Sequence, residues 1–208
     1  MARLRHRIHF IKEHRTVEAP ESPAARMPAA KSTELAPGIF VIESLLTHAE
    51  CDTLIRGAEN GGFEAAPIQA PGGPRVSEET RNNDRHVFDD LSLAADLFER
   101  SRHSLPSELG ERHAVGLNER FRLYRYRPGQ RFRWHADAPF RRDTGEISLL
   151  TYMIYLNDGY LGGATRFESV KVSGQAGMAL VFKHGLLHEG AEVTQGIKYA
   201  LRSDVMFR

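Results

Sequence analysis

Short apolar segments separated by turn residues fill the second half of the chain and leave few possible folds. Eight segments rich in β-branched and aromatic residues follow Gly116, with glycine, proline or aspartate between them. The clearest separators are Pro128-Gly129, Asn157-Asp158-Gly159, Gly162-Gly163, Ser173-Gly174 and Gln195-Gly196. Eight short strands in succession predict a closed or double-sheet β architecture, such as a jelly roll.

Two helices are predicted before these strands. Thr47 and Glu50 have the spacing of a capping box, and the apolar stripe that follows them ends at Gly61-Gly62. A second stripe runs from Leu91 to about His103, after a polar loop over residues 70–85. Residues 38–46 are typical of a strand. The predicted fold class is therefore α+β, with the N-terminal helices packed outside a β core.

The 208 residues are enough for one domain and a tail. Residues 1–33 are basic and then rich in alanine and proline, which predicts a flexible tail. A single domain is expected over residues 34–208. Its first part, 34–116, holds a strand, the helices and a polar loop, and its second part, 117–208, is the β core.

Charge and cysteine content exclude several classes of protein. The net charge is +1, so the chain is not built to coat nucleic acid or a membrane surface. No apolar run approaches the roughly 18 residues of a membrane span. A single cysteine, Cys51, excludes an intramolecular disulfide and predicts a reducing compartment, which we take to be the cytoplasm.

One histidine and one carboxylate stand at the end of a predicted strand. His135 and Asp137 are two positions apart, so both side chains project from the same face. His188, near the start of another strand, is the candidate third ligand. Two histidines and one carboxylate form the facial triad of non-haem Fe(II) oxygenases. His184 is a rival, since it forms H-x-x-x-H with His188, although Gly185 breaks any helix there.

Four motifs in order extend this pattern: YRPGQRFRWHAD (126–137), YLNDGYLGGATRF (155–167), GMALVFKHGLLHEG (177–190) and GIKYALRSDVMF (196–207). From about residue 117 to the end, the chain resembles the prolyl 4-hydroxylase-like branch of the Fe(II)/2-oxoglutarate-dependent dioxygenases. The resemblance implies a double-stranded β-helix (jelly-roll) core. It also implies Fe(II), 2-oxoglutarate as cosubstrate, and O₂. The iron ligands would be His135, Asp137 and His188, because the family pattern selects the histidine followed by Glu-Gly.

The same resemblance implies a 2-oxoglutarate pocket. The family places a basic residue about ten positions after the second histidine, which here is Lys198. Its ammonium would form a salt bridge to the far carboxylate of 2-oxoglutarate. Tyr126 and Tyr155 match tyrosines that donate to this cosubstrate in relatives. Arg202, on the same strand face as Lys198, replaces a smaller residue and would serve either the cosubstrate or an anionic substrate.

Candidate substrate residues are Arg122 and Tyr124 on the strand that carries Tyr126, with Arg81 and Asn83 in the preceding polar loop. The resemblance implies that this loop covers the active site. Eight arginines and one acid lie between Arg120 and Arg142, which favours an anionic substrate unless these arginines face solvent and pair there. The implied activity is hydroxylation with succinate and CO₂ as co-products. A prolyl peptide and a small molecule both fit as substrates. A metal-dependent hydrolase and a jelly-roll protein that binds without turnover are the alternatives.

Overall fold

The computed structural model describes residues 31–208. The tail predicted over residues 1–33 falls almost wholly on residues 1–30, which lie outside this range, and Ser32 already begins the first strand. Within the described range, no helix is long and apolar enough to span a bilayer.

Strands dominate the described chain. In chain order they are β1 (Ser32–Ala36), β2 (Ile39–Ile42), β3 (Glu64–Ala65), β4 (Ile68–Ala70), β5 (Gly73–Arg75), β6 (Asp84–Asp89), β7 (Glu108–Leu109), β8 (Arg112–Leu117), β9 (Arg120–Tyr126), β10 (Phe132–His135), β11 (Ile147–Tyr155), β12 (Leu161–Gly162), β13 (Thr165–Phe167), β14 (Lys171–Val172), β15 (Ala179–Lys183), β16 (His188–Gly190), β17 (Val193–Gln195) and β18 (Lys198–Phe207). The helices are α1 (His48–Gly61) and α2 (Leu91–Ser101), and a 3-10 turn (Arg102–Ser104) follows α2.

Two antiparallel sheets organise the β core. The larger sheet has the order β1-β2-β15-β11-β18-β9-β6-β3, and β8 extends it by pairing with the end of β18. The smaller sheet has the order β10-β16-β13-β14. Several neighbouring strands in both sheets are far apart in sequence, for example β10 and β16, so residues distant in the chain meet in one layer.

The helices cover one face of the larger sheet. The Thr47 hydroxyl accepts from the Glu50 backbone N–H at 3.2 Å, and the Glu50 carboxylate accepts from the Thr47 N–H at 2.8 Å, which is the capping box read from the sequence. Ala58 of α1 and Leu97 of α2 are buried in one cluster with Leu123 and Leu201 of the sheet. Burial of this apolar area is the main force that holds the layers together.

The opposite face of the larger sheet lines a cavity. Lys198 of β18 lies beside Tyr126 of β9, and Arg202 lies beside Arg122. On the other side of β18, Met153 of β11 is the register partner of Arg202. Alternate residues of a strand share a face, so these side chains form rows that point toward the smaller sheet. Residues of both sheets line the resulting cavity.

The segment before β9 contains more strand than the sequence predicts. The predicted loop over 70–85 ends in β6. A short hairpin of β4 and β5 turns at Pro71 and Gly72, and Gly72 has a positive φ. Strands β7 and β8 were also missed. Their sequences show little alternation of apolar and polar residues. Strand β8 forms because it pairs with the end of β18.

Candidate metal centre and active-site cavity

Three candidate metal ligands converge on the smaller sheet. His135 ends β10, His188 begins β16, and the two residues are direct register partners. Asp137 follows β10, held by a hydrogen bond from its backbone N–H to the His184 carbonyl at 2.9 Å. One nitrogen of each histidine and one oxygen of Asp137 lie within 4.8 Å of one another. The structure therefore brings together the three residues that the sequence nominated.

Hydrogen bonds set the tautomers of both histidines. His135 Nδ1 lies 2.7 Å from the Arg133 carbonyl oxygen, and His188 Nδ1 lies 2.9 Å from the Leu186 carbonyl oxygen. A carbonyl only accepts, so each Nδ1 carries the proton and each Nε2 keeps a free lone pair. His135 Nε2 is 3.8 Å and His188 Nε2 is 3.7 Å from the Asp137 carboxylate. The unprotonated Nε2 atoms of both histidines are therefore close to the Asp137 carboxylate.

The protonation states also suit a divalent metal. Burial and the neighbouring His188 lower the pKa of His135 to about 4, and burial lowers the pKa of His188. Burial would raise the pKa of Asp137, but Arg202 and His188 outweigh it and hold that pKa well below its usual range. At neutral pH the site offers two neutral imidazoles and one carboxylate. This donor set is the facial triad that binds Fe(II), so the residues present fit the metal.

A chain of side chains behind Asp137 fixes the carboxylate. Thr151 donates from Oγ1 to Asp137 Oδ2 at 2.5 Å, and His184 Nδ1 lies 3.0 Å from the same Oγ1. Because the threonine proton goes to Asp137, His184 donates from Nδ1 and accepts at Nε2 from Ser148 at 2.9 Å. The Ser148 hydroxyl in turn accepts from the Phe140 N–H at 2.8 Å. His184 therefore lies behind the carboxylate and outside the ligand cluster.

We expect Thr151→Val to weaken divalent metal binding about 10- to 100-fold, the usual effect of losing a partner of a metal ligand. Valine keeps the shape but removes the hydroxyl donor to Asp137 Oδ2, so that only the ion pair with Arg202 still restrains the carboxylate. Titration with Mn(II) followed by electron paramagnetic resonance measures the affinity. Thr194→Val, at an exposed position of β17, is the matched control. Equal Mn(II) affinities for both variants would contradict this role of Thr151.

The histidines also predict a pH-dependent stability of the metal-free protein. In the unfolded chain a histidine takes up its proton near pH 6.5, whereas folded His135 resists protonation down to about pH 4. The unfolded state therefore binds more protons below pH 6.5, and stability falls as the pH falls. His135 alone accounts for a loss of about 2 kcal/mol between pH 7 and pH 5, and His184 and His188 act in the same direction.

Urea unfolding at pH 7 and pH 5 measures this loss. Carboxylates with lowered pKa values, such as Asp137, lose their contribution mainly below about pH 5, so the histidines dominate this window. His135→Gln should flatten the dependence. Identical unfolding free energies at both pH values in the unmodified chain would contradict the assignment of neutral, buried imidazoles.

Lys198 lies at the other end of the cavity without an acidic partner. It is 3% exposed, and its Nζ donates to the Gly163 carbonyl at 2.7 Å. Among residues 31–208 no carboxylate forms an ion pair with it, and burial lowers its pKa to about 8. The rings of Tyr126 and Tyr155 lie 5.3 and 5.2 Å from Nζ. A buried ammonium without a counter-charge is unfavourable, so binding of a ligand carboxylate beside it would stabilise it.

The tyrosines and Arg202 differ in how they meet the cavity. Tyr126 and Arg202 line it, whereas the Tyr155 hydroxyl donates to Thr165 Oγ1 at 2.8 Å and its ring flanks Lys198. Arg202 Nη2 lies 3.1 Å from Asp137 Oδ2 and 3.3 Å from Asp204 Oδ1. Arg202 therefore lies at the metal-ligand end, away from Lys198.

The four candidate substrate residues make different contacts. Tyr124 lines the cavity, and Arg122 lies 3.7 Å from Asp204. Asn83 is fully buried and accepts from Arg81 Nε at 2.8 Å, so it holds Arg81 in place. The Arg81 guanidinium stacks on the rings of Tyr124 and Phe132 at 4.4 and 4.3 Å.

Sequence reasoning missed Thr151, Ser148 and Phe132. Phe132 stacks on the His135 ring at 3.5 Å between centroids and joins it to Arg81. Thr151 could have been found, because it lies four residues before Tyr155 and therefore shares its strand face. Several arginines of the 120–142 stretch pair with carboxylates away from the cavity, for example Arg125 with Glu59 and Asp84.

Comparisons with known proteins agree with this geometry. Residues 121–203 match the family model of the 2OG-Fe(II) oxygenase superfamily. A viral collagen prolyl hydroxylase from Paramecium Bursaria Chlorella virus-1 has a similar fold, with 22% identity, a TM-score of 0.56, and coverage of 81% of this chain and 95% of that chain. A Pseudomonas putida prolyl-4-hydroxylase has 20% identity and a TM-score of 0.58, with coverage of 82% of this chain and 93% of that chain.

A third similar structure is a Trichoplax adhaerens prolyl hydroxylase in complex with a hypoxia inducible factor peptide fragment. It shares 18% identity at a TM-score of 0.59, over 81% of this chain and 83% of that chain. None of the curated proteins compared with the chain matches it. The mostly-β fold with two helices is thus shared with these prolyl hydroxylases, and the family model matches part of the segment in which the sequence resembles the Fe(II)/2-oxoglutarate-dependent dioxygenases.

Proposed function

We infer that this chain is an Fe(II)- and 2-oxoglutarate-dependent dioxygenase that hydroxylates its substrate. One observation carries the inference most strongly. Two lone-pair nitrogens and a carboxylate converge at one end of a cavity. At the other end lies the buried Lys198 ammonium, for which the described part of the chain provides no acidic partner. The oxygenase family match over residues 121–203 spans both groups.

We also propose the finer architecture implied by the sequence. The two facing sheets form a double-stranded β-helix, and α1 and α2 support it from outside. Residues 34–208 make up this single domain. The cytoplasmic location predicted from the lone cysteine stays a prediction.

His135, Asp137 and His188 would hold the iron. Bound Fe(II) supplies the oxidative chemistry, in which O₂ and 2-oxoglutarate yield succinate, CO₂ and a hydroxylated substrate. The protein contributes position and charge. Nδ1–H of each histidine stays on its backbone carbonyl and keeps Nε2 aimed at the site, while Thr151 keeps one Asp137 oxygen from rotating away.

Lys198 would bind the far carboxylate of 2-oxoglutarate. The rings of Tyr126 and Tyr155 exclude water from that carboxylate and strengthen its attraction to the ammonium. The span from Lys198 to Asp137 then orients the keto acid with its other end at the iron ligands. Both ends are fixed by strands of the two sheets, which favours a rigid site.

A peptide or a small molecule is the substrate class we propose. The similar structures are prolyl hydroxylases, and one of them holds a peptide fragment. These likenesses support a prolyl peptide as the first substrate to test.

Succinate formation tests the proposed function. The full chain is incubated under air with Fe(II), ascorbate and 2-oxoglutarate, and succinate is quantified by mass spectrometry. We expect slow succinate release that stops when Fe(II) is omitted. Metal binding without succinate would contradict the oxygenase and leave the two alternatives, which hydrolysis of a test ester separates.

A further inference from the structure

We propose that Arg81, Arg122 and Arg202, grouped around Tyr124, form a subsite for a carboxylate of the primary substrate, separate from the Lys198 site. This inference rests on the proposed function, because it names the substrate chemistry of the same cavity. We call these four residues the arginine subsite. Its members come from the loop before β6, from β9 and from β18, and one of them, Arg202, contacts Asp137 at 3.1 Å.

Unpartnered donors provide the first observation. Within residues 31–208, four buried side-chain polar atoms lack a hydrogen-bond partner, and three of these are guanidinium nitrogens of the arginine subsite: Arg81 Nη2, Arg202 Nε and Arg122 Nη1. Arg122 Nη1 lies 3.7 Å from Asp204 Oδ2, which is an ion-pair distance but too long for a hydrogen bond. The Arg81 residue is only 6% exposed. Buried donors without partners are rare and unfavourable, so a cluster of three indicates that a ligand satisfies them.

The charge balance provides the second observation. Arg81 has no acidic partner in the described chain; its Nε donates to the neutral Asn83 amide oxygen. Arg122 and Arg202 share Asp204, and Arg202 also pairs with Asp137. Three guanidiniums thus face two carboxylates, and one of these carboxylates is a candidate metal ligand. A bound divalent ion increases the positive excess further.

The pKa of the Tyr124 hydroxyl reflects the positive potential of these guanidiniums. Burial would raise the pKa of its hydroxyl, but the guanidiniums of Arg81, Arg202 and Arg122 together lower it to about 8. A field that favours a phenolate favours a ligand carboxylate at the same place. Arginine binds carboxylates in bidentate fashion, which suits a planar anion against Tyr124 and Arg202 on the cavity wall.

Position separates this subsite from the cosubstrate site. Arg202 is four residues beyond Lys198 on the same strand face, and its guanidinium contacts Asp137 at 3.1 Å. Lys198 Nζ instead reaches Gly163, on the far side of the cavity. A substrate carboxylate on the arginine subsite would therefore lie next to the metal ligands while 2-oxoglutarate occupies Lys198.

Isothermal titration calorimetry with propionate tests the proposal. The full chain is first saturated with Mn(II) and 2-oxoglutarate, which fills the Lys198 site without turnover. Propionate and its neutral isostere propionamide are then titrated. We expect one propionate to bind and propionamide not to bind. Arg122→Met should weaken propionate binding at least tenfold. Arg81→Met should have the same effect, and it serves as the second variant if Arg122→Met does not fold.

Arg166→Met is the matched control, because Arg166 is exposed and pairs with Glu189 away from the subsite; it should bind propionate as the unmodified chain does. Equal binding of propionate and propionamide, no binding of either, or an affinity unchanged in both subsite variants would overturn the proposal. Failure to bind Mn(II) and 2-oxoglutarate would instead count against the proposed function. The same titrations on metal-free protein would then test the arginine subsite alone.

Discussion

His135→Ala, Asp137→Ala and His188→Ala are each expected to reduce Fe(II)-dependent succinate formation to below about 1% of the unmodified chain. Loss of a partner behind a ligand already weakens metal binding about 10- to 100-fold, and loss of a ligand exceeds that. The two remaining donors cannot hold the ion at ordinary concentrations. Succinate release at saturating 2-oxoglutarate measures the effect, and circular dichroism shows whether the fold persists.

Two other histidine variants serve as controls for this prediction. His113 is exposed on β8 and does not line the active-site cavity, so His113→Ala should keep full activity. His184→Ala should weaken metal binding through Thr151 and Asp137 without abolishing it. Full activity in His188→Ala together with complete loss in His184→Ala would contradict the assigned ligand set.

Lys198→Met is expected to raise the Michaelis constant for 2-oxoglutarate roughly 30-fold to several thousand-fold, which corresponds to about 2–5 kcal/mol for an unpaired buried charge. Methionine fills the space of the lysine stem but leaves the far carboxylate of the cosubstrate without its counter-charge. The Michaelis constant of the primary substrate should change much less. Initial rates of succinate formation measure the first constant.

The same variant should unfold at a higher temperature than the unmodified chain without ligands. Burial lowers the pKa of Lys198 to about 8, so at pH 7 the folded state holds an unfavourable ammonium that costs of order 3 kcal/mol. Saturating 2-oxoglutarate should stabilise the unmodified chain and leave Lys198→Met almost unchanged. An unaltered affinity in Lys198→Met, with loss of affinity in Arg202→Met, would move the cosubstrate clamp to Arg202.

The separated ligands illustrate what the sequence could predict. His135 and Asp137 share a strand end, so their common face follows from the period of a strand. His188 is distant in the chain, and its place opposite His135 follows only from the pairing of β10 with β16. That pairing depends on non-local contacts, so the family motifs rather than local patterning identified the third ligand.

The contacts of Arg81 mark the limit of prediction from the sequence. Its loop is rich in glycine, proline and charge, which predicts exposure, yet Arg81 is buried against Tyr124 and Phe132. A backbone bridge between Arg81 and Phe132 ties the loop to β10. Stacking on two aromatic rings offsets part of the cost of burying the guanidinium. The balance between the cost of burying the guanidinium and its stacking on the two rings depends on side chains from three elements. It cannot be predicted from the sequence of any one of them.

Anaerobic addition of Fe(II) and 2-oxoglutarate to the full chain tests the central claim most directly. When 2-oxoglutarate chelates iron held by two histidines and a carboxylate, a visible charge-transfer band develops. We expect this band in the unmodified chain, at far higher 2-oxoglutarate concentrations in Lys198→Met, and at no concentration in Asp137→Ala. A chain that binds Fe(II) but develops no band at saturating 2-oxoglutarate would contradict the assignment of this cavity.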